Sequence, residues 1–397
     1  MTINCDKYQN LPNYLAQHQP EHPVYCFRQK PLHTAASWFN ANFNGKVLYA
    51  VKANPHPFVL KTLINAGIKS FDVASLNEIT LVHDIMPNAE MYFMHPVKNL
   101  TSIRESYFRY FIKNYALDSF DELEKIMEAT HNAKDLNLFV RLNIPNNYSK
   151  MELSSKFGVA IEKAVQLIKA VRGKAYKLGI CFHVGSQCMH PDAYNCALKI
   201  VSTILKQAET FTDIIDIGGG FPSIYPGLHP PPLDSYINEI NKSIKSFGFQ
   251  DSEKLCEPGR ALVAESGSAL VKVELRKDHH LYINDGTYGS LFDACRPRFV
   301  FPTRLFRGHK IVETTNAPFS FFGPTCDSLD TMEGPFFLPN DVAMGDYIEI
   351  GQLGAYGITM RTNFNGFYSN EQIELEDEPM LSMYNQNTAE NKNTIAV

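Results

Sequence analysis

The sequence predicts a two-part fold of class α/β plus all-β. One part is a (β/α)8 barrel of the TIM type, and the other is an antiparallel β-sheet domain. Three observations predict it. Strand-like and helix-like runs alternate eight times between about residues 47 and 265; such alternation makes a parallel sheet, and eight units of this length close it into a barrel. From Gly267 onward, strand-like segments follow one another with Gly and Pro between them rather than helices. An open doubly wound sheet should carry a Gly-x-Gly-x-x-Gly turn after its first strand, and no such turn is there. The expected division is a barrel over 28–265 and a β domain built from 1–27 together with 266–397.

The elements follow in chain order. The first barrel strand starts at Val47, is apolar and β-branched, and is stopped by Lys52-Ala53-Asn54-Pro55. A helix over 58–66 and a strand over 69–73 come next, then a helix over 76–85 and a strand over 91–94 ending at His95-Pro96. The strand over 111–117 runs into Asp118-Ser119, which caps a helix over 120–129. A strand over 136–142, a long loop and a helix over 161–171 follow. The sixth strand spans 177–184 and its helix 192–206; the seventh, 213–217, enters Gly218-Gly219-Gly220. A Pro-rich loop and a helix over 236–246 lead to the eighth strand, 254–257, which ends at Pro258-Gly259-Arg260. The β domain is read as strands over 268–276, 280–284, 311–314, 319–322, 347–350 and 355–359, joined by 24–27. The polar, Asn-rich stretch 378–397 is expected to fray.

Composition narrows the function. With 44% hydrophobic and 20% charged residues the 397-residue chain is globular and long enough for two domains. A net charge of −5 gives no reason to expect nucleic acid or a membrane surface as partner. No apolar run approaches 18 residues, and Met1 to Asp6 lacks the pattern of a secretory leader. The eight cysteines are scattered without a Cys-x-x-Cys pair, which reads as reduced thiols in a cytoplasmic protein and not as a zinc site or disulfide frame.

The chemistry gathers at one rim. In this fold the active site lies at the C-terminal ends of the strands, and those ends read Lys52, Asp72, His95, Asp118, Arg141, His183, Gly218-Gly219-Gly220, and Glu257 with Arg260. Lys52, at the mouth of an apolar strand, is placed to lose water, which lowers an amine's pKa and suits Schiff-base chemistry. The triple glycine lets backbone N–H groups approach an anion, and Gly259-Arg260 adds an amide and a cation where this fold seats phosphate. A phosphate-bearing cofactor opposite a lysine points to pyridoxal 5′-phosphate (PLP). Glu257 is the candidate partner of its pyridine nitrogen, and His183 the flat group that stacks on its ring.

Further strings carry a resemblance. Ala50-Val51-Lys52-Ala53-Asn54, Phe71-Asp72-Val73-Ala74-Ser75 with Glu78, Ser155-Lys156-Phe157-Gly158, His183-Val184-Gly185-Ser186 and Gly218-Gly219-Gly220-Phe221-Pro222 occur in that order. They are followed by Glu257-Pro258-Gly259-Arg260, Asn284-Asp285-Gly286-x-Tyr288-Gly289, Gly323-Pro324-Thr325-Cys326-Asp327 and Gly354-Ala355-Tyr356. Across nearly its whole length the chain resembles the fold-type III PLP-dependent basic amino-acid decarboxylases of the ornithine/lysine type, which share the alanine racemase-like fold.

That resemblance implies roles. Lys52 would be the Schiff-base lysine, Glu257 the pyridine partner and His183 the stacking residue. Ser186, Gly218, Gly219, Gly220, Gly259, Arg260 and Tyr356 would hold the phosphate, with Asp72 and Arg141 in support. Cys326 would return a proton to Cα after CO2 leaves. Asp327 would bind the substrate's distal amine, with Tyr288 beside it, and Asp293 would be either a second carboxylate for that amine or a helix cap. Cys326 and Asp327 would come from the neighbouring subunit of a homodimer. The implied reaction is L-ornithine to putrescine in polyamine biosynthesis, and also L-lysine to cadaverine. Diaminopimelate, arginine or a carboxylated polyamine such as carboxynorspermidine remain alternatives, as does a non-catalytic PLP-binding or regulator-binding homologue.

Overall fold

The computed structural model describes residues 5–145, 148–151 and 156–384. Ser155 of the third motif, the first four residues and the stretch 385–397 lie outside them.

Eight parallel strands close into a barrel: Lys46–Ala50, Ser70–Val73, Glu90–Phe93, Asn114–Leu117, Asn137–Arg141, Lys177–Cys181, Ile214–Asp216 and Glu253–Cys256. Closure occurs where Leu255 and Cys256 of the last strand pair with Lys46 and Val47 of the first. The two-residue period of a strand sorts the side chains. Val47 and Tyr49 pack outward in the large cluster shared with the helices. Leu48 belongs instead to an inner plug with Tyr92, Met94, Ala116, Phe139, Cys181, Ile214 and Leu255. The plug leaves only the strand ends available for chemistry.

Local capping fixes those ends. Ser75 accepts from Glu78 N, and the Glu78 carboxylate returns to Ala74 N at 2.7 Å, so the chain after Asp72 turns into its helix in one way. Ser119 caps the helix Phe120–Ala129 by accepting from Glu122 N. Asp118 does not cap; it accepts from Gly158 N at 2.8 Å and ties down the long loop after the fifth strand.

The second unit is mostly antiparallel. Strand Gly267–Lys277 pairs with Val24–Arg28 on one side and with His280–Ile283 and Tyr347–Ile350 on others. Three pairings are parallel, those of Gln372–Leu375 with Val24–Arg28 and with Asp6–Tyr8, and of His280–Ile283 with Asn316–Phe322. At the junction the buried Arg28 guanidinium reaches Ser268, Glu349 and Asp377, each at 2.8 Å.

Several sequence expectations need correction. No strand forms over 355–359: Tyr356 takes φ 59° and donates its N–H to Ala53 O, so the segment turns toward the barrel. The strand expected over 311–314 is a two-residue pairing, Lys310–Ile311. Strands Thr303–Arg307, Thr331–Pro339 and Gln372–Leu375 were not anticipated, nor were helices Gln29–Asn42 and Leu100–Phe108. Among the described residues no helix is long and apolar enough to cross a membrane.

The C-terminal stretch does not fray as far as Tyr384. Its Oη donates to Ala261 O at 2.6 Å, and Met383 N donates to the Glu265 carboxylate at 2.6 Å. Burial pushes the Glu265 carboxyl up to about 7 from its ordinary 4.5. The folded chain therefore binds more protons than the unfolded chain between those values, and stability falls as pH rises through that window. Glu265→Gln cannot ionise. It should raise stability at pH 8 by about 3 kcal/mol at most, with no gain below pH 4.5. Thermal melting at both pH values checks this, and an equal gain at each would reject a titration effect.

Candidate active site

Lys52 stands just past the first strand, in the single turn Val51–Ala53. Its Nζ lies 2.6 Å from Asp72 Oδ2; the carboxylate is buried while the lysine side chain is 44% exposed, so the amine is reachable from the mouth of the barrel. The expected lowering of its pKa does not hold. Burial does lower it, but the charges of Asp72, Glu257 and Tyr356 outweigh burial and hold the ammonium form well above its usual range. The amine rests charged until its proton is taken up elsewhere.

Glu257 and Asp216 form a buried acid pair. Asp216, fully buried at the end of the seventh strand, accepts from Gly218 N at 2.8 Å through Oδ1, and its carboxyl stands within hydrogen-bond reach of Glu257. Burial raises both carboxyls; Asp72 adds to both, and Asp216's charge raises Glu257 further. Lys52 pulls Glu257 the other way and cannot cancel the rise. Two buried carboxyls that share a proton suit a basic ring nitrogen. The sequence reading missed Asp216, although an acid inside an apolar barrel strand directly before three glycines was a visible signal.

His183 stands beside the triple glycine, its Nε2 3.1 Å from where a Cβ on Gly219 would lie. Its Nδ1 accepts from Gly185 N at 2.9 Å. Burial, then Arg141 and Lys52, push its pKa well down, so the imidazole is neutral. Arg141 and His95 hold the side wall, both against the Phe157 ring, at 5.8 Å and 5.1 Å.

The triple glycine is required by close approach. A Cβ on Gly218, at φ 70°, would sit 2.0 Å from Phe182 O, and one on Gly220, at φ 99°, would sit 2.7 Å from Gly185 O. The backbone of this loop therefore lies against that of Phe182 to Gly185. Gly259 packs on Ala50 and Ala53, bringing Arg260 to the same corner. Arg260 is buried; it donates to Tyr225 Oη at 3.0 Å and to Ser186 Oγ at 3.4 Å, and its guanidinium lies 4.9 Å from the Tyr356 ring. Tyr225 was a second residue missed from sequence.

The remaining candidates divide. Asp327 and Tyr288 are brought together, the tyrosine hydroxyl donating to Asp327 Oδ2, and Leu329 N donates to Oδ1 at 3.0 Å. The backbone bond and the hydroxyl keep this carboxyl below the usual carboxylate range. Cys326 is exposed, with Sγ 3.3 Å from Asn365 Oδ1. No hydrogen bond or ion pair joins Cys326 or Asp327 to Lys52 among the described residues. Asp293 does not cap its helix, where no side-chain cap bond forms; it is buried with Oδ2 2.9 Å from Arg260 Nη2.

The rim thus gathers a reachable lysine, a buried acid pair, and a glycine loop beside a buried arginine. Residues 29–264 match the family model described as pyridoxal-dependent decarboxylase, pyridoxal binding domain. The chain belongs to the fold-type III PLP-dependent decarboxylases of basic amino acids, and its cofactor is PLP. It is 33% identical over 345 residues to lysine/ornithine decarboxylase of Selenomonas ruminantium, covering 84% of each chain. A solved lysine/ornithine decarboxylase of Vibrio vulnificus, complexed with putrescine, superposes with TM-score 0.76 at 28% identity, covering 90% of this chain and 95% of that one. The arginine decarboxylase of Paramecium bursaria Chlorella virus superposes with TM-score 0.81 at 25% identity, covering 91% and 98%.

Proposed function

We propose that this chain decarboxylates L-ornithine to putrescine for polyamine synthesis, takes L-lysine to cadaverine as a second reaction, and works as a cytoplasmic homodimer. The observation that carries the substrate reading is the Cys326-Asp327 loop. Tyr288 and Leu329 N hold an ionised carboxylate at a fixed place, the chemistry that suits a distal ammonium. A substrate with a second carboxylate, such as diaminopimelate, would need a cation there instead. The relatives support the same class of substrate, since two are named for lysine and ornithine.

When bound, PLP supplies a sink for the electron pair left as CO2 departs. Lys52 is the covalent anchor, with Asp72 orienting its amine. Glu257, backed by Asp216, would hold a proton at the ring nitrogen, the charge state in which that sink works best. Neutral His183 presents a flat face to the ring. Ser186, Gly218, Gly219, Gly220, Gly259, Arg260 and Tyr356 would hold the phosphate, with Arg141 in support. Cys326 returns a proton to Cα, a task suited to a thiol near neutral pH. Because Cys326 and Asp327 stand on an exposed loop of the second unit, a second copy of the chain brings them to each lysine. A non-catalytic homologue would have no use for both Lys52 and Cys326, and both are present.

Purified protein with PLP, offered ornithine, lysine, arginine and diaminopimelate, should release putrescine fastest and cadaverine next. One methylene separates the first two substrates, worth about 1–3 kcal/mol in a pocket. Agmatine as main product, or lysine from diaminopimelate, would overturn the substrate reading.

A further inference from the structure

Arg260 is placed above as a phosphate contact, and the inference below rests on that reading. Its guanidinium bridges the two units of the fold. On the barrel side it bonds Ser186 and Tyr225; on the other it meets Asp293, in the short helix Phe292–Cys295, and lies 4.9 Å from the Phe299 ring. Both charged side chains are almost wholly buried, at 3% and 7% exposure. The Asp293 Oδ2 lies 2.9 Å from Arg260 Nη2, and the guanidinium opposes the rise that burial imposes on this carboxyl. Phe299 N donates to Asp293 O at 2.8 Å, which closes the segment 293–299 on itself and fixes where the carboxylate points.

We propose that Asp293 is a positioning residue for Arg260: it holds the guanidinium on the phosphate seat and neutralises it until a phosphate arrives. A buried arginine with no counter-charge is strongly unfavourable. Before the cofactor binds, Asp293 is the anion that Arg260 meets; afterwards the phosphate shares that task. The carboxylate is thus committed to the cofactor end of the site and does not serve a distal amine. Through the same contact the segment 293–299 is tethered to the seat, so cofactor loading and the packing of that segment are linked.

The test uses full-length Asp293→Asn, Arg260→Met and the double variant, each with and without PLP. Asp293→Asn should lower the melting temperature of the cofactor-free protein by about 5 °C or more, and saturating PLP should close most of that gap. Its kcat should fall at limiting PLP and recover with added PLP, while KM for ornithine and for lysine stays within about twofold of wild type. In the Arg260→Met background the Asp293→Asn change should no longer destabilise, which reports the pair without any cofactor and remains informative if the single variant folds poorly. Equal melting of Asp293→Asn and wild type in both states would overturn the proposal. So would a tenfold rise in KM at saturating PLP with no cofactor-dependent melting gap, which would return Asp293 to the substrate. If Arg260→Met binds PLP as wild type does while the double-variant coupling persists, the pairing stands and the phosphate reading of Arg260 is what fails.

Discussion

Lys52→Ala should lower decarboxylation by at least about 10³-fold and leave PLP bound without a covalent link. The size follows from the surroundings of Lys52. Its amine is reachable from the barrel mouth and sits 2.6 Å from a buried carboxylate that orients it. The same variant should leave Asp72 buried without its cation, 2% exposed and facing Glu257 and Asp216. Like charges that close share protons. The variant should therefore fold, with its acid floor holding more protons than the wild type, and added primary amines should restore part of the rate. Full activity in Lys52→Ala would remove the lysine from the chemistry.

Mixing Lys52→Ala and Cys326→Ala chains should return about a quarter of wild-type activity above the residual rate of the two chains kept apart. Free exchange makes half of the dimers mixed, and each mixed dimer has one site with both residues intact. Cys326→Ala alone should slow turnover and divert part of the product to an aldehyde, with the amino group left on the cofactor. The prediction rests on Cys326 being exposed beside Asn365 and unconnected to Lys52 within the described residues of one chain. Subunit exchange shown by mass or by a tag, with no recovered activity, would place both residues in one chain.

What was legible in the sequence was what is local in the chain. Lys52, Gly218-Gly219-Gly220 and Glu257-Pro258-Gly259-Arg260 each sit where a strand stops, and the alternation of elements placed all eight stops on one rim. The helix Phe120–Ala129 was legible because Ser119 announces it. Gln29–Asn42 was not, because its cap position is Arg28, with no side-chain bond, and a proline lies in its first turn. The helix Leu100–Phe108 had a signal in Asn99, which accepts from Ser102 N at 2.7 Å. Charges paired across the fold were hidden. Asp216 meets Glu257, and Arg260 meets Asp293, only after the barrel closes and the β unit folds back on it. The pKa of Lys52 went the other way for the same reason: an apolar strand suggests desolvation, while the neighbouring strand ends supply the carboxylates that win. Ala355-Tyr356 looked like a strand because tyrosine favours one, yet the left-handed turn at Tyr356 is held by a bond to Ala53 O from another unit.

Borohydride reduction of the PLP-loaded protein, followed by peptide mass mapping, tests the central claim most directly. The account predicts one pyridoxyl-phosphate mass increment, on the peptide that carries Lys52. An increment on any other lysine, or none in protein that has bound PLP, would contradict it.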